Sequence, residues 1–120
     1  MKREIKPFRE NMKYKSRIEK IFEAWTNRDW DFVENGLADD FTFTSPYDDH
    51  LKIEEFKKKC WDTIEQIGEF AIITVVENET EAFVRYKNKI NGEKVQNAEQ
   101  FVFDENDKLK SVTVFFGRPE

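Results

Sequence analysis

Ile18, Ile21, Phe22 and Trp25 recur at i, i+3, i+4 and i+7. That spacing lines four side chains along one stripe of an α-helix and predicts an amphipathic helix over roughly residues 11–28. Ahead of it, Pro7 sets off a short leader, residues 1–10, which holds Ile5 and Phe8. Behind it, "RDWDFVENGLADD" predicts a second, short helix, capped by Asp29 or Asp31 and stopped near Gly36. Its buried residues are expected to be Phe32, Val33 and Leu37. In "DFTFTS" the period changes: Phe41, Phe43 and Ser45 alternate with Thr42 and Thr44, as in a strand with one core face. Helical spacing returns in "KIEEFKKKCWDTIEQIG", where Ile53, Phe56, Cys60, Ile64 and Ile67 share a face beside Trp61 and Gly68 supplies the stop.

From Phe70 onward the pattern is that of a sheet. "FAIITVVEN" and "EAFVRYKNKI" read as two strands joined by a short turn. Asn91-Gly92 is a hairpin signal, because both residues tolerate positive φ. "KVQNAEQFVF" and "LKSVTVFFG" follow as strands on either side of the turn "DENDK". Helices first and a four-strand meander after them predict one α+β domain over residues 1–120, with a curved antiparallel sheet wrapped around the N-terminal helices.

Composition narrows the class. A chain of 120 residues with 12 Phe and 3 Trp carries enough aromatic surface to fold around one core. The net charge of -5 argues against a nucleic-acid partner. Residues 1–20 hold eight Lys/Arg against three Asp/Glu, which reads as a solvated helical face. Neither a signal-peptide core nor a run of about 20 apolar residues is found, so no membrane role is expected. One cysteine permits no internal disulfide and suits a cytoplasmic location.

Chemistry concentrates at few positions. Alternation puts Glu99 on the face of Phe101 and Phe103, with Asn97 two residues before it. A carboxyl facing aromatics has its charged form disfavoured, so Glu99 is a candidate acid or base near neutrality. A bulge that turns it outward, or a salt bridge to Arg85 or a lysine, is the plainer alternative. In "TSPYDDH", His50 is a candidate proton shuttle with Asp48 or Asp49 to orient it. The same residues also fit a solvated loop whose aspartates cap the next helix. Being adjacent they diverge, and no HxH or HExxH accompanies them, so no metal site is expected. Cys60 reads as an inert core thiol. Trp25, Phe41, Phe43, Trp61 and Phe116 either fill the core or surround a flat apolar ligand, and Tyr86 adds a hydroxyl on the Ala82/Val84 side of its strand. No phosphate loop, dinucleotide fingerprint or Ser-His-Asp order is present, so no cofactor is expected.

The order of "IFEAWTNRDWDFVENGLADDFTFTSP", "IEEFKKKCW", "AEQFVFDENDKLKSV" and "FFGRP" resembles the nuclear transport factor 2-like superfamily, in its SnoaL-like and ketosteroid-isomerase-like branch. The resemblance runs from about residue 14 to the C-terminus. It implies a cone-shaped, cystatin-like fold around a deep pocket, and many members pair as homodimers through the outer sheet face. Here that face would carry Gln96, Ala98, Gln100 and Val102. By position, Ile21 stands where ketosteroid isomerases carry an oxyanion-donating tyrosine, and Ser45, before Pro46, where they carry the base aspartate. Glu99 stands at the second, acidic donor. The standard isomerase mechanism is therefore not expected.

The resulting expectation is a pocket lined by Ile21, Trp25, Phe41, Phe43, Ser45, Trp61, Tyr86, Asn97, Phe101 and Phe116. It serves cofactor-free proton transfer on a small apolar carbonyl compound, with Glu99, His50, Asp48 and Asp49 as catalytic candidates. The alternative is a module that holds a small hydrophobic ligand or a protein partner without turnover.

Overall fold

The apolar stripe folds into α1, Lys15–Thr26, in the computed structural model, which describes residues 13–119 and their side chains as far as Phe115. The leader and the expected start at residue 11 lie outside the described residues. Ile18 and Phe22 are buried, while Ile21 and Trp25 on the same stripe are half-buried. Just ahead of the helix, Tyr14 stacks on Phe103 at 4.1 Å between ring centroids and donates its hydroxyl to the Glu79 carbonyl at 2.9 Å. Burying one such ring contributes roughly 1.5–3 kcal/mol. After α1 the chain reverses through Arg28, at φ 57°.

Asp29 caps α2, Trp30–Asn35, by accepting the Phe32 N–H at 3.1 Å. Val33 and Leu37 are buried as expected, but Phe32 is 40% exposed. Consecutive helical residues point about 100° apart, so a one-sided helix that buries Val33 turns Phe32 outward.

The sheet order is β1-β5-β4-β3-β2, with β1 at Leu37–Thr44, β2 at Ile67–Glu77, β3 at Glu81–Ile90, β4 at Glu93–Phe103 and β5 at Leu109–Pro119. β2 to β5 form the antiparallel meander, and β1 joins as a parallel edge strand beside β5. Asn91 at φ 48° and Gly92 at φ 87° make the tight β3–β4 turn. Pairing of β3 with β4 is unbroken from Glu81↔Val102 to Ile90↔Glu93. β2 instead shifts register between Gly68 and Ala71 and again between Ile72 and Thr74, with Glu69 at φ 53°. Such bulges bend a strand, and they curl this end of the sheet over α1.

The helix expected over "KIEEFKKKCWDTIEQIG" is much shorter. α3 covers only Ile53–Phe56 and passes into a π-helical turn, Lys57–Trp61, in which the Asp62 N–H bonds the Lys57 carbonyl at 2.8 Å. The Thr63 hydroxyl then donates to the Lys59 and Cys60 carbonyls, capping the end. Beyond it, the Asn91 side chain accepts the Glu65 and Gln66 N–H groups at 3.0 and 2.9 Å, which holds that segment extended. Gly68 is consequently a strand residue and not a helix stop.

Candidate functional site

Between α1, the α3 turn and the concave face of the sheet lies a cavity of about 220 Å³. That is about seven times the share of liquid volume that one water takes. Ile21, Trp25, Phe41, Phe43 and Phe101 line it, as the sequence led one to expect. Phe22, Phe56 and Phe70 join them. Phe22 stacks on Phe70 at 4.3 Å, and Phe56 packs on Phe43 at 4.8 Å, so the walls are aromatic at both ends. Phe70 reaches the wall because the bulge at Glu69 resets the alternation of β2.

Among the described residues, four polar side chains break this apolar lining: Tyr86 and Asn88 from β3, Asn97 and Glu99 from β4. Their strands place them together. Tyr86 pairs directly with Asn97, and Glu99 pairs with Val84 one step along the same face. Diagonal neighbours across a ladder are about 7–8 Å apart, within reach of long side chains. The Tyr86 hydroxyl accordingly donates to Glu99 Oε2, and Asn97 Nδ2 donates to the Tyr86 oxygen at 3.4 Å. Glu99 is not turned outward by a bulge. Arg85 cannot pair with it either, since that side chain lies on the opposite face and bonds Gln96 at 3.4 Å.

Burial raises the Glu99 carboxyl to about 7, against the smaller opposing effect of the Tyr86 hydrogen bond. The residue keeps partial accessibility, but it lines the cavity, so that accessibility is toward the cavity. Tyr86 is pushed well above its ordinary range, first by burial and then by the neighbouring Glu99 charge. At neutral pH the phenol therefore stays protonated and donates, while the carboxyl exchanges between both of its states. Cys60 lines the cavity too, and burial pushes its thiol up to about 11, which keeps it protonated.

The other expected site residues lie elsewhere. His50 takes φ 53°, its side chain is 70% exposed, and its Nδ1 sits 2.5 Å from Asp49 Oδ1. Neither lines the cavity, and nor does Asp48, whose carbonyl accepts the Ser45 N–H at 2.8 Å. The aspartates do not cap α3, because Lys52 occupies its N-cap. This loop turns the chain so that Leu51 can pair with Phe43. Ser45 belongs to the same turn, its hydroxyl accepting the Tyr47 N–H at 3.1 Å, and it does not reach the cavity. Trp61 is buried outside it, against Trp25 at 4.4 Å and Trp30 at 5.2 Å, under the Arg28 guanidinium at 4.2 Å. The Phe116 side chain lies outside the described residues. Among the described residues, no three His, Cys, Asp or Glu side chains converge as a metal site requires.

Asn88 went unrecognised in the sequence. The signal was there, in the alternation Ala82, Val84, Tyr86, Asn88 along one face of "EAFVRYKNKI".

Solved structures share this architecture. An NTF2-like protein of unknown function from Cytophaga hutchinsonii aligns with a TM-score of 0.71 at 14% identity, over 91% of this chain and 94% of its own. A steroid delta-isomerase from Pseudomonas aeruginosa aligns at 0.65 and 14% identity, over 87% and 78%. An LEH-like epoxide hydrolase from M. tuberculosis aligns at 0.69 and 14% identity, over 84% and 76%. These likenesses show the fold, which is the cystatin-like α+β fold of NTF2-like proteins. No curated protein matches the chain. Among the described residues, no helix is long and apolar enough to cross a membrane. The SnoaL-like domain model matches residues 18–111, most of the chain and all four polar residues of the cavity, and the protein belongs to the SnoaL-like family.

Proposed function

We propose that the cavity carries out cofactor-free proton transfer on a small, largely apolar carbonyl compound, with Glu99 as the group that takes and returns the proton. The observation behind this reading is a carboxyl, the one acidic side chain of the cavity among the described residues, hydrogen-bonded by a buried tyrosine on an aromatic wall. A base works best with a pKa near the working pH, and burial brings Glu99 to about 7. Ionised Glu99 removes a proton from the carbon beside the carbonyl, and the electron pair moves onto the carbonyl oxygen. Once protonated, Glu99 can itself donate to the Tyr86 oxygen, which frees the Tyr86 O–H to turn toward the developing oxyanion. Return of the proton to the same or a neighbouring carbon completes exchange or isomerisation. A steroid delta-isomerase among the structural neighbours agrees with this class of chemistry but not with any one substrate.

The test is deuterium incorporation next to the carbonyl of a panel of compact aryl ketones in D2O, followed by proton NMR. Wild type should accelerate exchange, and Glu99→Gln should lower the rate by about 10²–10⁴-fold. A panel on which both proteins give the same rate would remove the reading. Ile21 and Ser45, which replace the tyrosine and aspartate of the resembled isomerases, favour a second reading: a pocket that holds a small hydrophobic ligand without turnover. Native mass spectrometry of protein from its own host separates the two. An unmodified lipid retained in the cavity would point to carriage.

We also propose that two copies pair through the outer sheet face. Phe83 and Phe115 are 40% and 43% exposed there and touch at 5.4 Å, beside Val76, Ala98 and Gln100. An exposed apolar patch, here with Glu81 and Arg85 on either side of Phe83, suits an isologous contact.

A further inference from the structure

Asn88 is 4% exposed, and neither its Oδ1 nor its Nδ2 has a hydrogen-bond partner among the described residues. Both atoms belong to a side chain that lines the cavity. A primary amide offers an acceptor and two donors, and burying them unsatisfied is costly. The other three polar groups of the cavity occupy one another, through Asn97 to Tyr86 to Glu99. Asn88 is left over.

Its position in the ladder adds a distance. Asn88 pairs with Val95 and Glu99 with Val84, so the two stand four residues apart along β3. At about 3.3 Å per residue their backbones are separated by roughly 13 Å along the strand. Asn88 thus marks a polar point away from Glu99, at the end of the cavity where Ile67 pairs with Ile90 and where Ile64 also lines the wall. Among the described residues, no lysine, arginine or histidine lines the cavity to balance an anionic ligand.

We propose that Asn88 recognises the amide edge of an uncharged ligand, a carboxamide or lactam whose N–H and C=O pair with Oδ1 and Nδ2. A hydroxyl or a ketone offers a single atom and leaves one Asn88 group unmet. An amide presents a donor and an acceptor side by side and satisfies both. The ligand is then an apolar body that fills the aromatic walls, with its amide held at the end remote from Glu99. This inference rests on the cavity being a ligand site and requires no proton transfer.

The test uses benzamide and acetophenone, which share a phenyl ring and a carbonyl and differ only in the amide nitrogen. Binding is followed through quenching of Trp25, which lines the cavity. Wild type should prefer benzamide by roughly tenfold or more, because acetophenone leaves the buried Asn88 Oδ1 without a donor. Asn88→Leu should bind the two probes with equal affinity. A direct readout in the wild type is the Asn88 side-chain amide in a nitrogen–proton NMR spectrum, which should shift downfield with benzamide and not with acetophenone. Equal affinity of wild type for the two probes, or a preference that survives Asn88→Leu, would overturn the proposal. Glu99→Gln should keep the benzamide preference. Loss of ketone exchange together with a retained preference would thus separate the two readings.

Discussion

A carboxyl that faces phenylalanine rings changes how the whole protein responds to pH. Glu99 binds its proton more tightly in the folded state, at about 7, than in the unfolded chain, near 4.5. Between those values the native state holds more protons, so stability falls as pH rises; it is fully present below 4.5 and lost through 7. The amplitude is on the order of 3 kcal/mol. Glu99→Gln preserves shape and removes the charge. It should match wild type at about pH 4.5 and melt at a higher temperature at pH 8. Thermal unfolding of both proteins across that range checks this, and parallel curves would count against it. Tyr86→Phe removes the one interaction that lowers the Glu99 pKa. It should move the midpoint of the Glu99 titration upward, as read from the side-chain carboxyl carbon by NMR.

At the scale of elements, two tryptophans expected to line one pocket differ, since Trp25 lines the cavity and Trp61 does not. Trp61 is 5% exposed and packed by Trp25, Trp30 and Arg28, whereas Trp25 is half-buried and faces the cavity. Trp61→Ala should cost about 3–5 kcal/mol in urea unfolding. Trp25→Ala should cost less, and its larger effect should be on ligand affinity. The β3–β4 turn does a second task beyond reversing the chain, because Asn91 holds residues 65 and 66. Asn91→Ala leaves those N–H groups without their acceptor and should cost about 1–3 kcal/mol. A loss no greater than that of an exposed surface substitution would mean that the Asn91 bonds do not order this segment.

For the molecule as a whole, the two faces of the sheet differ. The concave side carries the cavity, and the convex side carries exposed Phe83 and Phe115. Phe83→Glu with Phe115→Glu places like charges across a two-fold contact and should convert a dimer into a monomer, as measured by light scattering at micromolar concentration. The cavity should survive, since neither ring lines it. A wild type already monomeric at that concentration would exclude the pairing.

Period and turn chemistry were enough for much of this. The i, i+3, i+4, i+7 stripe determined α1, Asn91-Gly92 determined the central hairpin, and strict alternation placed Glu99 beside Phe101 on the buried face. These are local rules, since each depends on residues a few positions apart. What depended on distant residues was not legible. "KKKCWDTIEQIG" keeps helical spacing, but hydrogen bonds from Thr63 and from Asn91, some 25 residues away, end the helix early. The alternation of β2 is reset by bulges that serve the curvature of the sheet, which is how Phe70 comes to line the cavity. The cluster Asp48, Asp49 and His50 drew attention as chemistry because its residues are adjacent, and the fold leaves it outside the cavity in a turn. Asn88 looked like any polar residue of a strand. Only the folded cavity wall, with Tyr86, Asn97 and Glu99 already bonded to one another, left its amide buried and unmatched. Satisfaction of a buried polar group is a property of everything packed around it, and that is decided in three dimensions.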